Sequence, residues 1–154
     1  MKTLNDSASL FDSGVWVALS FATHPHHAAA RQAFEALDSA HPAAFCRVTQ
    51  SSFLRLITTP AIQGMYGSAA ITNEQAWAKY QDLLALPQVV WLGEPPRIEA
   101  QWKICACLPS ASPKVWMDAY LAAFAITAGL EFACLDKDFR SYERHGLALR
   151  LLIQ

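Results

Sequence analysis

Short apolar runs of strand length alternate with longer helical stretches along the whole chain, and two of the short runs stop at an acid. Ala8–Asp12 is the first such run, a strand buried on both faces. Val15–Phe21 follows as a short helix. A second helix, about His26–Leu37, carries Ala30, Ala33, Phe34 and Leu37 on one face, and Pro25 suits its first turn. Ala43–Arg47 is the second strand. Thr49 then reads as the N-cap of a helix through Phe53, Leu54 and Ile57 to about Thr58, ended by Pro60. Residues 63–70 bear Gly and Ser and read as loop. Thr72 with Gln75 forms a capping box that opens a helix to about Leu86. Val89–Leu92 is strand three, and Pro95–Pro96 starts a helix to about Leu108. After a Ser/Pro loop, Val115–Ala128 is the most apolar helix, closed by Gly129. Phe132–Leu135 is strand four, ending at Asp136. A short turn or helix at Phe139–His145 and a final strand at Leu147–Ile153 complete the chain.

This alternation predicts an α/β fold of three layers, α/β/α, with a mainly parallel central sheet. No repeat, low-complexity tract or dividing linker interrupts it, so residues 1–154 read as a single domain. Only 16% of residues are charged, against a usual share of about 25%, while 53% are hydrophobic. Disorder is thereby excluded. The 12 Lys+Arg are offset by 13 Asp+Glu, which excludes a generally basic nucleic-acid binder. No apolar core follows the polar Met1–Ser7 segment, so a secretory leader is not expected. Ala119–Ile126 is the longest apolar run and far too short for a membrane span, which needs roughly 20 residues. Cys46, Cys105, Cys107 and Cys134 lack a zinc-like spacing and read as reduced thiols of a cytoplasmic protein. The aromatics Phe34, Phe53, Trp77, Trp102 and Phe124 recur at helical spacing and read as core. His24, His26 and His27 sit beside a proline and read as surface residues rather than metal ligands.

In parallel sheets, sites form just beyond the carboxyl ends of the strands. Asp12 closes strand one, Asp136 closes strand four with Asp138 two residues on, and Asp118 heads the apolar helix. Each has an ordinary role available, Asp118 as a helix-dipole acid and Asp136 as a turn former. Together they are harder to explain so. Buried carboxylates need partners, and Lys137 and Arg140 are the few cations nearby. A hard divalent ion, Mg²⁺ or Mn²⁺, satisfies several carboxylates at once and activates water against a phosphodiester.

These residues carry a family resemblance. Leu10-Phe-Asp12-Ser-Gly-Val-Trp-Val-Ala-Leu19 resembles the opening of PIN-domain proteins. Val115-Trp-Met-Asp118-Ala-Tyr-Leu-Ala-Ala-Phe-Ala125 is similar to their Asp-Ala-Tyr helix, and Cys134-Leu-Asp136-Lys-Asp138-Phe139 to their Asp-x-Asp-Phe turn. His24–Ala30 and Cys46–Ile57 further resemble the VapC-type toxins of toxin–antitoxin pairs. About residues 61–113 add little. The resemblance implies a PIN-like fold and a metal-dependent endoribonuclease held in check by a small antitoxin. It carries the metal ligands to Asp12, Asp118 and Asp136, with Asp138 as an outer or second-site acid.

Three positions depart from the family pattern: Gly14 replaces the usual Asn, Ser52 the usual Glu and Cys134 the usual Thr. Thr49, Gln50 or Ser52 is then the candidate for a neutral oxygen ligand or orienter in place of the Glu. Lys137, Arg140 and Arg144, with Arg150, Arg47 and Arg55, are candidates for RNA phosphate contacts. The competing reading is a PIN-like module that lost catalysis with the Glu and only binds RNA or protein. The surplus of apolar residues suits a homodimer and an antitoxin interface.

Overall fold

A computed structural model describes residues 7–67 and 69–153. The polar amino-terminal segment read above lies outside them up to residue 6. The elements in chain order are β1 (Ser9–Phe11), α1 (Ser13–Ser20), α2 (His27–Glu35), β2 (Ala43–Phe45), α3 (Arg47–Ile57), α4 (Pro60–Tyr66), α5 (Asn73–Leu84), β3 (Val89–Trp91), α6 (Ile98–Ala106), α7 (Val115–Ala128), β4 (Glu131–Cys134), a 3₁₀ helix (Lys137–His145) and β5 (Ala148–Leu151).

All the paired strands run parallel, in the order β3-β2-β1-β4-β5. The central strands are buried on both faces, and their side chains divide by strict alternation. Leu10, Ala44 and Phe132 are neighbours in register and face α6, α7 and the 3₁₀ helix. Phe11, Phe45 and Ala133 face α1, α2, α3 and α5 on the other side. There Trp16 stacks on Phe45 with ring centroids 3.9 Å apart and planes at 7°. The expected three layers are therefore present.

Local chemistry moves several element boundaries from where the sequence put them. The helix after β1 begins at Ser13, because the Asp12 carboxylate caps it two residues earlier than expected. Pro25 precedes the His26 N-cap rather than entering the helix. Cys46, not Thr49, is the N-cap of α3; Thr49 is at the third helical position, and its hydroxyl accepts from the Cys46 N–H at 2.9 Å. Pro60 does not end structure but starts α4, in the first-turn position where its missing N–H costs nothing. Part of the expected 63–70 loop is thus helical. In α4 the Gln63 side chain is buried and donates to the Ile57 carbonyl. Pro95 and Pro96 lie before α6, which starts at Ile98 after Arg97 turns through φ 67°. Trp77, expected in the core, is 47% exposed, whereas Phe34, Phe53 and Phe124 are buried.

Candidate functional site

The chain lays down β1, β2 and β3 outward on one side, then crosses back to place β4 against the other side of β1. Between β1 and β4 the crossovers diverge to opposite faces and leave a crevice at the carboxyl ends. Asp12 and Asp136 come from the two strands that form it. The Asp12 N–H donates to the Ala133 carbonyl at 3.0 Å, which ties the end of β1 to β4. Its Oδ1 accepts from the Ser13 N–H at 2.8 Å. The carboxylate is thus fixed at the start of α1. The second oxygen accepts no hydrogen bond among the described residues.

Asp118 lies in the first turn of α7, half-buried and within electrostatic reach of Asp12 and Asp136. Burial raises its pKa, and the charges of Asp136 and Asp138 add to the rise. Burial likewise pushes Asp12 up from 3.8 to about 6, against the Ser13 N–H bond that lowers it; Asp118 and Asp136 raise it further. The acids are therefore close enough to repel one another. Asp136 Oδ1 accepts from the Asp138 N–H at 2.9 Å, capping the 3₁₀ helix. Asp138 is exposed. Beneath the acids, burial pushes both the Cys134 thiol and the Tyr142 hydroxyl up to about 12. Cys134 Sγ donates to the Asp136 carbonyl at 3.3 Å, a bond within reach of the thiol that replaces the usual Thr.

No ion pair among the described residues touches any of these four acids. Mutually repelling carboxylates without a cation, all with oxygen donors, suit a hard divalent ion. They are not a closed cage: among the described residues no three His, Cys, Asp or Glu side chains converge as a ready chelate. Mg²⁺ suits an open site, since it keeps several waters and takes only one or two carboxylates directly.

The candidate neutral oxygens are largely committed elsewhere. Thr49 is buried and its hydroxyl serves the Cys46 backbone. Gln50 is buried and its Oε1 accepts from Arg47 Nη1 at 2.7 Å. Ser52 is half-buried on the same helix. Among the cations, Lys137, Arg140 and Arg144 are exposed on the 3₁₀ helix that follows Asp136. Arg150 is drawn away, to Glu131 at the start of β4, at 3.8 Å. Arg47 lies 4.7 Å over the Trp91 ring. His27 Nδ1 is 2.8 Å from the Ala18 carbonyl, so this histidine is used structurally.

Two participants escaped the sequence reading. Ser13 positions Asp12, and the Asp-Ser-Gly start of α1 is an N-cap signature that points to it. Glu94, in the loop after β3, accepts from the Tyr120 hydroxyl at 2.6 Å. No short-range pattern links those two, since 26 residues of the β3–β4 connection separate them.

A PIN domain model matches residues 9–145. Over 144 residues the chain is 45% identical to Ribonuclease VapC41 of Mycobacterium tuberculosis, in strain CDC 1551 / Oshkosh and in strain ATCC 25618 / H37Rv alike. That match covers 93% of this chain and 97% of each relative. Among solved structures, VapBC2 from Rickettsia felis, bound to a promoter DNA fragment, superposes with TM-score 0.62 at 10% identity, covering 94% of this chain and 98% of its own. Mycobacterium tuberculosis VapC20, a toxin that cleaves the sarcin-ricin loop, superposes with TM-score 0.60 at 17% identity, covering 90% and 95%.

Proposed function

Since the chain belongs to the PIN-domain family, we propose that it is a VapC-type endoribonuclease toxin that hydrolyses RNA phosphodiester bonds with a divalent ion, Mg²⁺ or Mn²⁺. The observation that carries this reading is that Asp12 and Asp136 follow the neighbouring strands β1 and β4 and Asp118 lies in the first turn of α7, within electrostatic reach of one another and with no ion pair to any of them among the described residues. Identity of 45% to chains called ribonucleases supports the activity, and disfavours a module that has lost it with the usual Glu.

Asp12, Asp118 and Asp136 would hold the ion, and Asp138 would act from outside them. The bound ion supplies activation of water and neutralisation of charge on the phosphate. The chain's own part is orientation. Ser13 fixes Asp12 through its N–H. The Asp138 N–H holds Asp136. Partial burial in the first turn of α7 keeps Asp118 partly dry, which strengthens its hold on a cation. Lys137, Arg140 and Arg144, exposed on the 3₁₀ helix after Asp136, would draw the phosphate backbone despite the net charge of -1.

A small antitoxin and a second copy of the chain are the protein partners, in a cytoplasmic setting. Exposed Met65, Trp77 and Ile104 offer apolar surface for such contacts. No helix among the described residues is long and apolar enough to cross a membrane. The test is cleavage of total RNA with Mg²⁺ or Mn²⁺ and with EDTA, with Asp118→Asn as control. Cleavage that needs the ion and fails in the variant supports the reading. Intact RNA, or cleavage unchanged by EDTA or by Asp118→Asn, overturns it.

A further inference from the structure

A groove of about 460 Å³ is bounded by Arg47, Glu94, Trp102, Trp116, Met117 and Tyr120. It sits at the same end of the sheet as the crevice. Arg47 opens α3 directly after β2, Glu94 follows β3, and Trp116, Met117 and Tyr120 flank Asp118 in the first turns of α7.

The lining is aromatic and held rigid. Trp102 Nε1 donates to the Trp116 carbonyl at 2.9 Å. The Trp102 ring stands edge-on to Trp116, at 84°, and to Tyr120, at 83°. Trp116 is nevertheless 55% exposed and Met117 52%, a large apolar exposure next to charged catalytic candidates. One carboxylate faces this apolar space. Tyr120 occupies Glu94 Oε2, and Oε1 accepts no hydrogen bond among the described residues. At the rim, the Arg47 guanidinium is held over Trp91 and by Gln50.

An aromatic floor, one free carboxylate oxygen and a rim guanidinium match the parts of a single nucleotide: base face, base edge and phosphate. We propose that this groove seats one unpaired base of the RNA next to the scissile phosphate, stacked on Trp116 and read by Glu94, with guanine favoured over uracil. Guanine presents adjacent N–H donors to a carboxylate oxygen. Uracil offers one N–H flanked by two carbonyls that repel it. An apolar protein segment would fill the floor equally well, but it would leave the free Glu94 oxygen without a donor. The inference rests on the ribonuclease reading for its substrate, not for its measurement.

Binding is measured in EDTA, where the proposed cleavage does not run, with ten-nucleotide oligouridylates that carry one central guanine, one 2-aminopurine or neither. The wild type should bind the guanine oligomer at least about fivefold tighter than the all-uridine one and quench the 2-aminopurine. Trp116→Ala should bind the guanine oligomer about tenfold more weakly and lose the quenching, in line with the usual worth of one base–aromatic stack. Met117→Ala, equally exposed, should weaken binding in the same direction. Glu94→Gln keeps an oxygen for Tyr120 but turns an amide N–H to the base, so it should abolish or reverse the guanine preference while quenching persists. Leu86→Ala, exposed and outside the groove, should match the wild type. Unchanged RNA binding in Trp116→Ala and Met117→Ala overturns the proposal and assigns the groove to a protein. Guanine preference that survives in Glu94→Gln overturns the role of that residue. Loss of the ribonuclease reading would show instead as absent cleavage of long RNA by the wild type, with the binding results still deciding the groove.

Discussion

Asp12→Asn should make the metal-free protein more stable while destroying its proposed activity. The Asp12 carboxyl is driven from 3.8 to about 6, chiefly by burial and further by Asp118 and Asp136. A rise of that size, at 1.36 kcal/mol for each tenfold in proton affinity, is a cost of about 3 kcal/mol to the ionised folded state as an upper bound. Asparagine removes the charge but still accepts from the Ser13 N–H, so the cap of α1 survives. The pH dependence has a definite sign. Below about pH 4 the carboxyl is protonated both folded and unfolded, and the two proteins should be alike. Between about pH 4 and 6 the folded wild type holds a proton that the unfolded chain has released. Its stability relative to the variant therefore falls as pH rises, and the gap levels off by about pH 7. For a chain of this size about 3 kcal/mol is roughly 6–12 °C in Tm, the ceiling of the effect. Thermal melts from pH 4 to 8 in EDTA measure it. Excess Mn²⁺ should then reverse the order, raising the wild-type Tm by mass action with little effect on the variant. A variant that melts at or below the wild type at pH 7 in EDTA would refute the reasoning. So would equal stabilisation of both by Mn²⁺.

Three further outcomes are expected. Asp118→Asn should abolish RNA cleavage and leave the circular dichroism spectrum unchanged. RNA affinity should fall steeply with salt, and Arg140→Gln should flatten the slope of log affinity against log salt by about one; a salt-independent affinity would count against the cations of the 3₁₀ helix. Gly129 ends α7 at φ 69°, so Gly129→Ala should destabilise by about 1 kcal/mol in urea unfolding with activity retained.

The sheet and its layers were legible because the strands bury both faces and so read as continuous apolar runs, broken by helices of clear period. Asp12, Asp118 and Asp136 stood out as candidates for a related reason: a strand's carboxyl end and a helix's first turn are fixed in sequence, and acids there are conspicuous in a charge-poor chain. Boundaries set by side chains were not. Pro60 signals a helix start as well as a stop, and only the Thr59–Pro60 junction with a buried Gln63 decides for α4. Thr49 was read as the N-cap, but Cys46 holds that place and the Thr49 hydroxyl accepts its N–H from the third helical position. Trp77 keeps the spacing of a core residue yet lies open, because periodicity gives a face and not what covers it. The Glu94–Tyr120 contact spans 26 residues and left no local trace.

The hydrogen bond from the Asp12 N–H to the Ala133 carbonyl bears on when this protein becomes dangerous to its maker. Strand β1 precedes the other strands, and its inner neighbour β4 follows only after β2 and β3. Asp12 cannot meet Asp118 and Asp136 until nearly the whole chain has left the ribosome and closed a loop of more than a hundred residues. Such parallel, long-range pairing is slow to form. A nascent or truncated chain thus carries its first acid without the others, and the proposed cutting activity arises in a single late step. The cell that translates this message has, in that delay, a window in which an inhibitor can already be waiting.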